Sequence, residues 1–394
     1  MTETEGYQFI SGSSWDNLGE LLQTDNPLFN QMLFLQGFDY CSNIYVIKGD
    51  YISIIDPGND YTAYFELFEL GVKPTDIKKI CLTHGHPDNC MGALELFRGY
   101  PGYGKELDLE IILHGAGPKT FKDMFQAFGV RLTELNGGET INLSGFDFEV
   151  IHTPGHTLDG LCYYHAPTRT LFTGDTVLPH VMMETDKEAG GRMDHYLFSL
   201  RTLLKKEVDY IFPGRGGLVV REGRQCMEAT YEGLIRKTID EKTPWMEGAM
   251  LLAQKGMLEE ALFCCNKVLA DTPDELKAME AKAFLLNDLG LNQEAVAAFD
   301  EVLSRNGQHH YAWMGKGAAF MALEQYPESL ACFDHVLALQ PNMPAAQVYK
   351  GMALYLSGQP EAAMEIEAFR REYSAKFAEA LKQAKKEQGA GAPN

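Results

Sequence analysis

Thr83-His84-Gly85-His86-Pro87-Asp88-Asn89-Cys90 gathers two imidazoles and a carboxylate into a few residues. Just before it, Ile77-Lys78-Lys79-Ile80-Cys81-Leu82 is a short β-branched and apolar run that reads as a buried strand. Just after it, Met91 to Phe97 reads as a helix. The stretch is therefore a strand-to-helix turn crowded with polar side chains. Such crowding is costly unless something binds there. Neutral imidazole nitrogens and carboxylate oxygens are ligands of zinc and of non-heme iron, and a rigid turn at a strand end aims several of them at one point.

Upstream of this turn, residues 38–47 and 51–56 are strand-like runs joined by Lys48-Gly49-Asp50, a joint that fits a hairpin. Asp56-Pro57-Gly58-Asn59 ends the second run, and Tyr61 to Leu70 has helical character that Gly71 stops. Residues 1–30 are mixed and polar and read as an arm packed on the body. Downstream come a strand over Leu109 to Leu113 and a helix over Pro118 to Phe128. Strands alternating with helices argue for an α/β architecture. Three further polar clusters follow strand-like runs: Thr153-Pro154-Gly155-His156-Thr157, Thr173-Gly174-Asp175-Thr176, and Pro213-Gly214-Arg215-Gly216-Gly217. All place functional side chains where a sheet presents them together.

The order His-x-His-x-Asp, Thr-Pro-Gly-His-Thr, Thr-Gly-Asp-Thr, Phe-Pro-Gly-x-Gly resembles the metallo-β-lactamase fold superfamily. The hairpin from Asn43 to Asp56 and the step Gly191-Arg192-Met193-Asp194 match the same pattern, so the resemblance runs over about residues 30 to 235. It implies an αβ/βα sandwich, an α/β fold of two sheets between helices with a metal at one edge. It also implies a first metal site at His84, His86 and His156, with Asp175 as the ligand bridging to a second metal. The superfamily's second site uses Asp88, the residue after it, Asp175 and a histidine in the later Pro-Gly turn. Here those two histidine positions hold Asn89 and Arg215. An amide oxygen is a weak ligand, and a guanidinium has no lone pair to offer a metal.

The expectation is therefore one divalent metal, zinc ahead of iron, in a mononuclear site. A lost second cation would leave Asp88 and Asp175 uncompensated, which is expensive in a partly buried cleft. The guanidinium of Arg215 is expected near the vacated position, paired with Asp88 and able to hold an anionic substrate group. Asp88, freed from ligation, becomes the candidate general base or water-orienting group, and Asp88 and Arg215 are the candidate catalytic residues. The leading expectation is a metal-dependent hydrolase acting on a small-molecule substrate. Two alternatives stand beside it. One is a mononuclear iron oxidoreductase resembling the sulfur dioxygenases, with His84, His156 and Asp175 as ligands. The other is a non-catalytic interaction scaffold with a degenerate metal site.

Other candidates have plainer readings. His114, His152 and His165 lie beside strand ends or turns and read as packing or helix-start residues. His180 and His195 flank the segment Val181 to Met193, whose Gly190-Gly191 pair suggests either a loop covering the substrate or a solvated insertion. Cys90 reads as a soft ligand or, following such a turn, as a small buried hydrophobe.

After the polar stretch Ile239 to Pro244, self-similarity appears at a spacing of 34 residues. Gly256, Gly290, Glu324 and Gly358 share one column, Ala261, Ala295, Ser329 and Ala363 another, and Ala249, Ala283, Gly317 and Gly351 a third. This pattern resembles the tetratricopeptide repeat, a helix-turn-helix unit that stacks into an all-α solenoid. Small residues let paired helices approach, while Leu252, Leu286, Phe320 and Leu354 fill the space between them. The expected division is a metal-binding domain over 1–240, four repeats over 241–377, and a helix end with a disordered tail over 378–394. Within this scheme Arg371 to Lys386 reads as a charged capping helix. Such an array offers a surface for a protein or peptide partner, or for self-association into a homo-oligomer.

The chain carries 55 acidic and 34 basic residues, a formal net charge of −21, which argues against nucleic acid as a partner. No run approaches the ~20 apolar residues of a membrane span, and the acidic N-terminus does not resemble a secretory signal. Eight cysteines without framework spacing fit reduced thiols, so a cytoplasmic protein with no membrane partner is expected.

Overall fold

The computed structural model describes residues 9–12, 14–98, 108–179 and 181–374. They fall into two compact units that divide between residues 238 and 239. In the first unit two seven-stranded sheets pack face to face. One runs in the order Asp16–Asn17, Met32–Leu35, Ile44–Lys48, Ile52–Ile55, Ile77–Cys81, Glu110–His114, Arg131–Leu135. The other runs Phe9–Ile10, Leu218–Val219, Tyr210–Pro213, Thr170–Gly174, Leu161–His165, Phe146–His152, Thr140–Leu143.

The first sheet is buried on both faces, which explains why its strands read as nearly continuous apolar runs. Successive side chains alternate between two cores. Ile44, Val46, Ile54, Ile80 and Ile111 meet Ala63, Leu67, Leu94, Phe121 and Phe125 of the covering helices. Tyr45, Ile47, Ile55, Cys81 and Ile112 face the second sheet. There the ring of Tyr45 packs 5.1 Å from Phe172 and 5.7 Å from Phe212, centroid to centroid. Buried aromatic pairs of this kind lock the two sheets face to face. This is the αβ/βα sandwich that the motif order implied.

The structure extends the sequence reading at one place and corrects it at another. Residues 16–30, expected as an arm packed on the body, go further and form part of its core: Leu18, Leu28 and Phe29 are buried between the sheets, and Phe29 packs edge-on against Tyr210. Short helices at Leu18–Leu21 and Pro27–Asn30, capped by Asn17 and Asn26, hide the apolar residues in a segment that looks polar on average. Phe38 to Asn43 is a loop rather than a strand, with Asp39 at φ 52°.

What positions the site is strand direction. Ile52–Ile55, Ile77–Cys81 and Glu110–His114 are parallel, as are Thr170–Gly174 and Tyr210–Pro213. Their C-terminal ends therefore deliver Asp56, His84, Asp175 and Arg215 to the ends of their sheets, and the strand Phe146–His152 delivers the turn bearing His156.

The second unit is a run of antiparallel helix pairs: Trp245–Gln254 with Leu258–Asp271, Leu276–Asp288 with Asn292–Arg305, His310–Ala322 with Tyr326–Leu339, and Pro344–Leu356 with Pro360–Glu365. The column Ala261, Ala295, Ser329 and Ala363 is fully buried. A Cβ at Gly317 would stand 2.7 Å from the Phe333 ring, so that position admits no side chain. Between paired helices the turn residues Gly256, Gly290 and Gly358 take φ of 76°, 77° and 82°. Glu324 occupies the same place at φ 61°, paying the Cβ strain that its three counterparts avoid. The capping helix expected to reach Lys386 and the tail to Asn394 lie, from residue 375 on, outside the described residues. No helix among the described residues is long and apolar enough to cross a membrane.

Candidate metal centre

His84, His86 and His156 meet at the sheet edge. His84 Nε2 lies 3.1 Å from His86 Nδ1, and His156 Nε2 lies 3.2 Å from the same atom. Each outward ring nitrogen has a partner that decides where its proton sits. The Thr83 hydroxyl donates to Asp56 Oδ2 at 2.6 Å, so its oxygen is left to accept from His84 Nδ1 at 3.1 Å. His156 Nδ1 donates to the Glu184 carbonyl at 2.6 Å, and His86 Nε2 donates to Asp186 Oδ2 at 3.0 Å.

The three inward nitrogens therefore present lone pairs to one another. Ligands 2.0–2.1 Å from a tetrahedral metal stand about 3.3 Å apart, close to the spacing found. Three mutually repelling lone pairs, each fixed by a hydrogen bond on the far side of its ring, are the arrangement of a metal-ligating histidine cluster. Burial also disfavours the charged form, holding His84 well below and His156 below the ordinary imidazole range. Asp175 Oδ2 stands 4.0 Å from His84 Nε2 and 3.9 Å from His156 Nε2. Its Oδ1 is buried with no hydrogen-bond partner, and burial, with Asp56 adding repulsion, raises its carboxyl to about 7. The three histidines could hold a divalent cation, with Asp175 beside them.

Beside the cluster, Arg215 forms an ion pair with Asp88 through Nη2, and its Nε donates to Asp175 Oδ2 at 3.2 Å. The guanidinium thus bridges the two carboxylates. Asn43 holds its turn in place: the Asn43 amide donates to the carbonyls of Pro213 and Gly216, both at 2.9 Å, and the Asn43 N–H donates to Gly214 O at 2.7 Å. Asn89 turns away, donating to Asp56 Oδ2 at 3.2 Å.

Four contributors had no role in the sequence reading. Asp56, buried and raised to about 6 by that burial, orders Thr83 and Asn89; Thr83, Asp186 and the Glu184 carbonyl orient the rings. Asp56 carried a readable signal, an acid at a strand end like the other polar clusters. Residues 184–191 are more than a solvated insertion, since Asp186 and the Glu184 carbonyl support two of the histidines. Cys90 is buried with its thiol pushed up to about 12 by burial, and its Sγ–H is directed at Gly85 O, 3.6 Å away. It is not aimed at the metal cluster. His114 stacks on His152 at 4.1 Å, and its Nδ1 accepts from Ala116 N; His165 bonds to Thr168, and His195 Nδ1 is buried without a partner. His180 lies outside the described residues.

The sequence profile of the Metallo-beta-lactamase superfamily matches residues 38–215, and that of the Tetratricopeptide repeat matches 279–329 and 317–380. The chain is a metallo-beta-lactamase domain fused to tetratricopeptide repeats. Among curated relatives, the atrochrysone carboxyl ACP thioesterase AgnL7 of Paecilomyces divaricatus is 25% identical over 181 residues, 45% of this chain and 51% of that protein. The hydroxyacylglutathione hydrolase of Klebsiella pneumoniae is 32% identical over 124 residues, 32% of this chain and 41% of that protein. The chain thus spans about half the length of the curated relatives it matches. Among solved structures, ETHE1 from Myxococcus xanthus aligns at 22% identity with a TM-score of 0.40, covering 54% of this chain and 92% of that one.

Proposed function

We propose that the metallo-beta-lactamase domain is a metal-dependent hydrolase with one divalent metal held by His84, His86, His156 and Asp175, zinc ahead of iron, and that it cleaves a thioester. The observation that carries the mononuclear reading is the guanidinium of Arg215 bridging Asp88 and Asp175. A fixed side-chain cation there compensates both carboxylates and leaves no ligand set for a second ion. The thioester reading is supported by two relatives, one named a carboxyl ACP thioesterase and one a hydroxyacylglutathione hydrolase. The repeats serve to dock a protein or peptide partner in a cytoplasmic setting.

When bound, the metal supplies a water acidified toward neutral pH and a Lewis acid for the scissile carbonyl. The chain's own residues do the rest. Asp88, its charge held by Arg215, accepts a hydrogen bond from the attacking water and orients it. Arg215, its side chain 27% exposed, directs its remaining N–H donors to the oxygen that gains charge or to an anionic group of the substrate. Thr83, Asp186 and the Glu184 carbonyl keep the imidazoles aimed.

Metal analysis after reconstitution tests this, coupled to hydrolysis of an acyl-thioester reporter. The expected result is about one equivalent of metal per chain, with turnover abolished by a chelator. Two equivalents would overturn the mononuclear reading, and no metal at all would leave an interaction scaffold. The double variant Asn89→His with Arg215→His is expected to raise the content from one equivalent toward two.

A further inference from the structure

Asp186 makes more bonds at the site than its place on an exposed turn requires. Its Oδ2 accepts from His86 Nε2 at 3.0 Å, and its Oδ1 accepts from the backbone of Glu188 at 2.8 Å and Ala189 at 3.1 Å. Its own N–H donates to the His156 carbonyl at 2.7 Å, and its carbonyl accepts from Gly191 at 2.6 Å. The turn can lie this close only because residue 191 has no side chain: a Cβ on Gly191 would stand 2.1 Å from His156 O. Backbone and carboxylate together tie one short segment to two of the three histidines.

We propose that Asp186 is a positioning residue for the metal centre, fixing the proton of His86 on Nε2 so that Nδ1 stays open toward His84 and His156, and clamping His156 through the backbone. His86 differs from its two partners in pointing Nδ1 rather than Nε2 inward. Its tautomer is therefore set wholly by what faces Nε2. A neutral imidazole carries one proton, and a carboxylate can only accept, so Asp186 assigns that proton to the outer nitrogen. An ordinary exposed ion pair would contribute a charge without discriminating between the two nitrogens. This inference rests on the metal-site reading above.

Asp186→Asn separates the two roles. The asparagine Oδ1 still accepts from Glu188 and Ala189, so the turn is retained, but its NH2 then confronts His86 Nε2 with a second donor. The proton of His86 is driven to Nδ1, where it obstructs the cluster. Zinc affinity, measured by chelator competition, is expected to fall about 10- to 100-fold. In the metal-free protein, the nitrogen-15 signals of His86 are expected to move from the Nε2–H to the Nδ1–H pattern. Lys237→Ala, which removes the exposed ion pair with Glu184, is expected to change neither. Unchanged zinc affinity in Asp186→Asn, or an unchanged His86 nitrogen pattern, would overturn the proposal. Wild-type protein that takes up no zinc would instead sink the metal reading itself, and the nitrogen signals would still decide whether Asp186 sets the His86 proton.

Discussion

In the repeat array, Ala261, Ala295, Ser329 and Ala363 are all fully buried, and the one side-chain hydroxyl among them donates to the Gly317 carbonyl. At the sheet edge of the metallo-beta-lactamase domain, three imidazole nitrogens crowd to within 3.1–3.2 Å of their neighbours, their protons assigned to the outward nitrogens by the partners there, and a buried carboxylate oxygen has no partner. The first arrangement satisfies each residue locally. The second is unfavourable in isolation and becomes favourable only when a cation enters. Residues in the array therefore act on folding, and residues at the edge act on what is bound, often at the expense of the metal-free fold.

The largest expected effect lies in the array. Phe333, fully buried against Gly317, is expected to cost about 3–5 kcal/mol when replaced by alanine, read from urea unfolding. A loss under about 1 kcal/mol would mean the column is not a packing column. At the edge the effect should reverse. His86→Ala, at a side chain only 22% exposed, is expected to weaken zinc binding by more than about 100-fold. The same variant should shift metal-free stability by less than about 1 kcal/mol, because relieving lone-pair crowding offsets the lost packing. A strongly destabilised metal-free protein would blur the contrast.

Arg215 tests the boundary between the two kinds of residue, being an edge side chain that compensates charge without a metal. Arg215→Ala is expected to destabilise the metal-free protein by about 1.5–3 kcal/mol, with Arg215→Lys falling between it and the wild type because one ammonium cannot bridge both carboxylates. Equal stability of all three proteins would remove its compensating role. The smallest effect returns to the array: Glu324→Gly, relieving φ 61° at the one turn that lacks glycine, is expected to raise stability by about 0.5–1 kcal/mol in calorimetry.

Legibility followed the range of the determining interaction. The turn from Thr83 to Cys90 was readable because strand, polar cluster and helix follow one another within a few residues. The repeats were readable because one spacing of 34 residues recurs three times across four units. The core burial of residues 16–30 was not legible because it depends on Tyr210 and other residues far along the chain, which no local pattern reports. Asp186 was missed for a similar reason: it faces His86 across 100 positions, from a segment whose composition looks solvated. Its neighbour Gly191 offered a signal, but a glycine kept for close approach is indistinguishable in sequence from a glycine kept as a hinge.

The sequence by itself determined the strand-end clusters, the order that carries the superfamily resemblance, the repeat period, and the replacement of two ligand-type positions by Asn89 and Arg215. Those follow from residue identity and local spacing. Only the tertiary structure decided which nitrogen of each histidine faces inward, that one guanidinium bridges Asp88 and Asp175, and that residues 184–191 serve the histidines. Hydrogen-bond direction and charge compensation depend on atoms brought within about 3 Å by two sheets, and that proximity is written nowhere in the linear order of the chain.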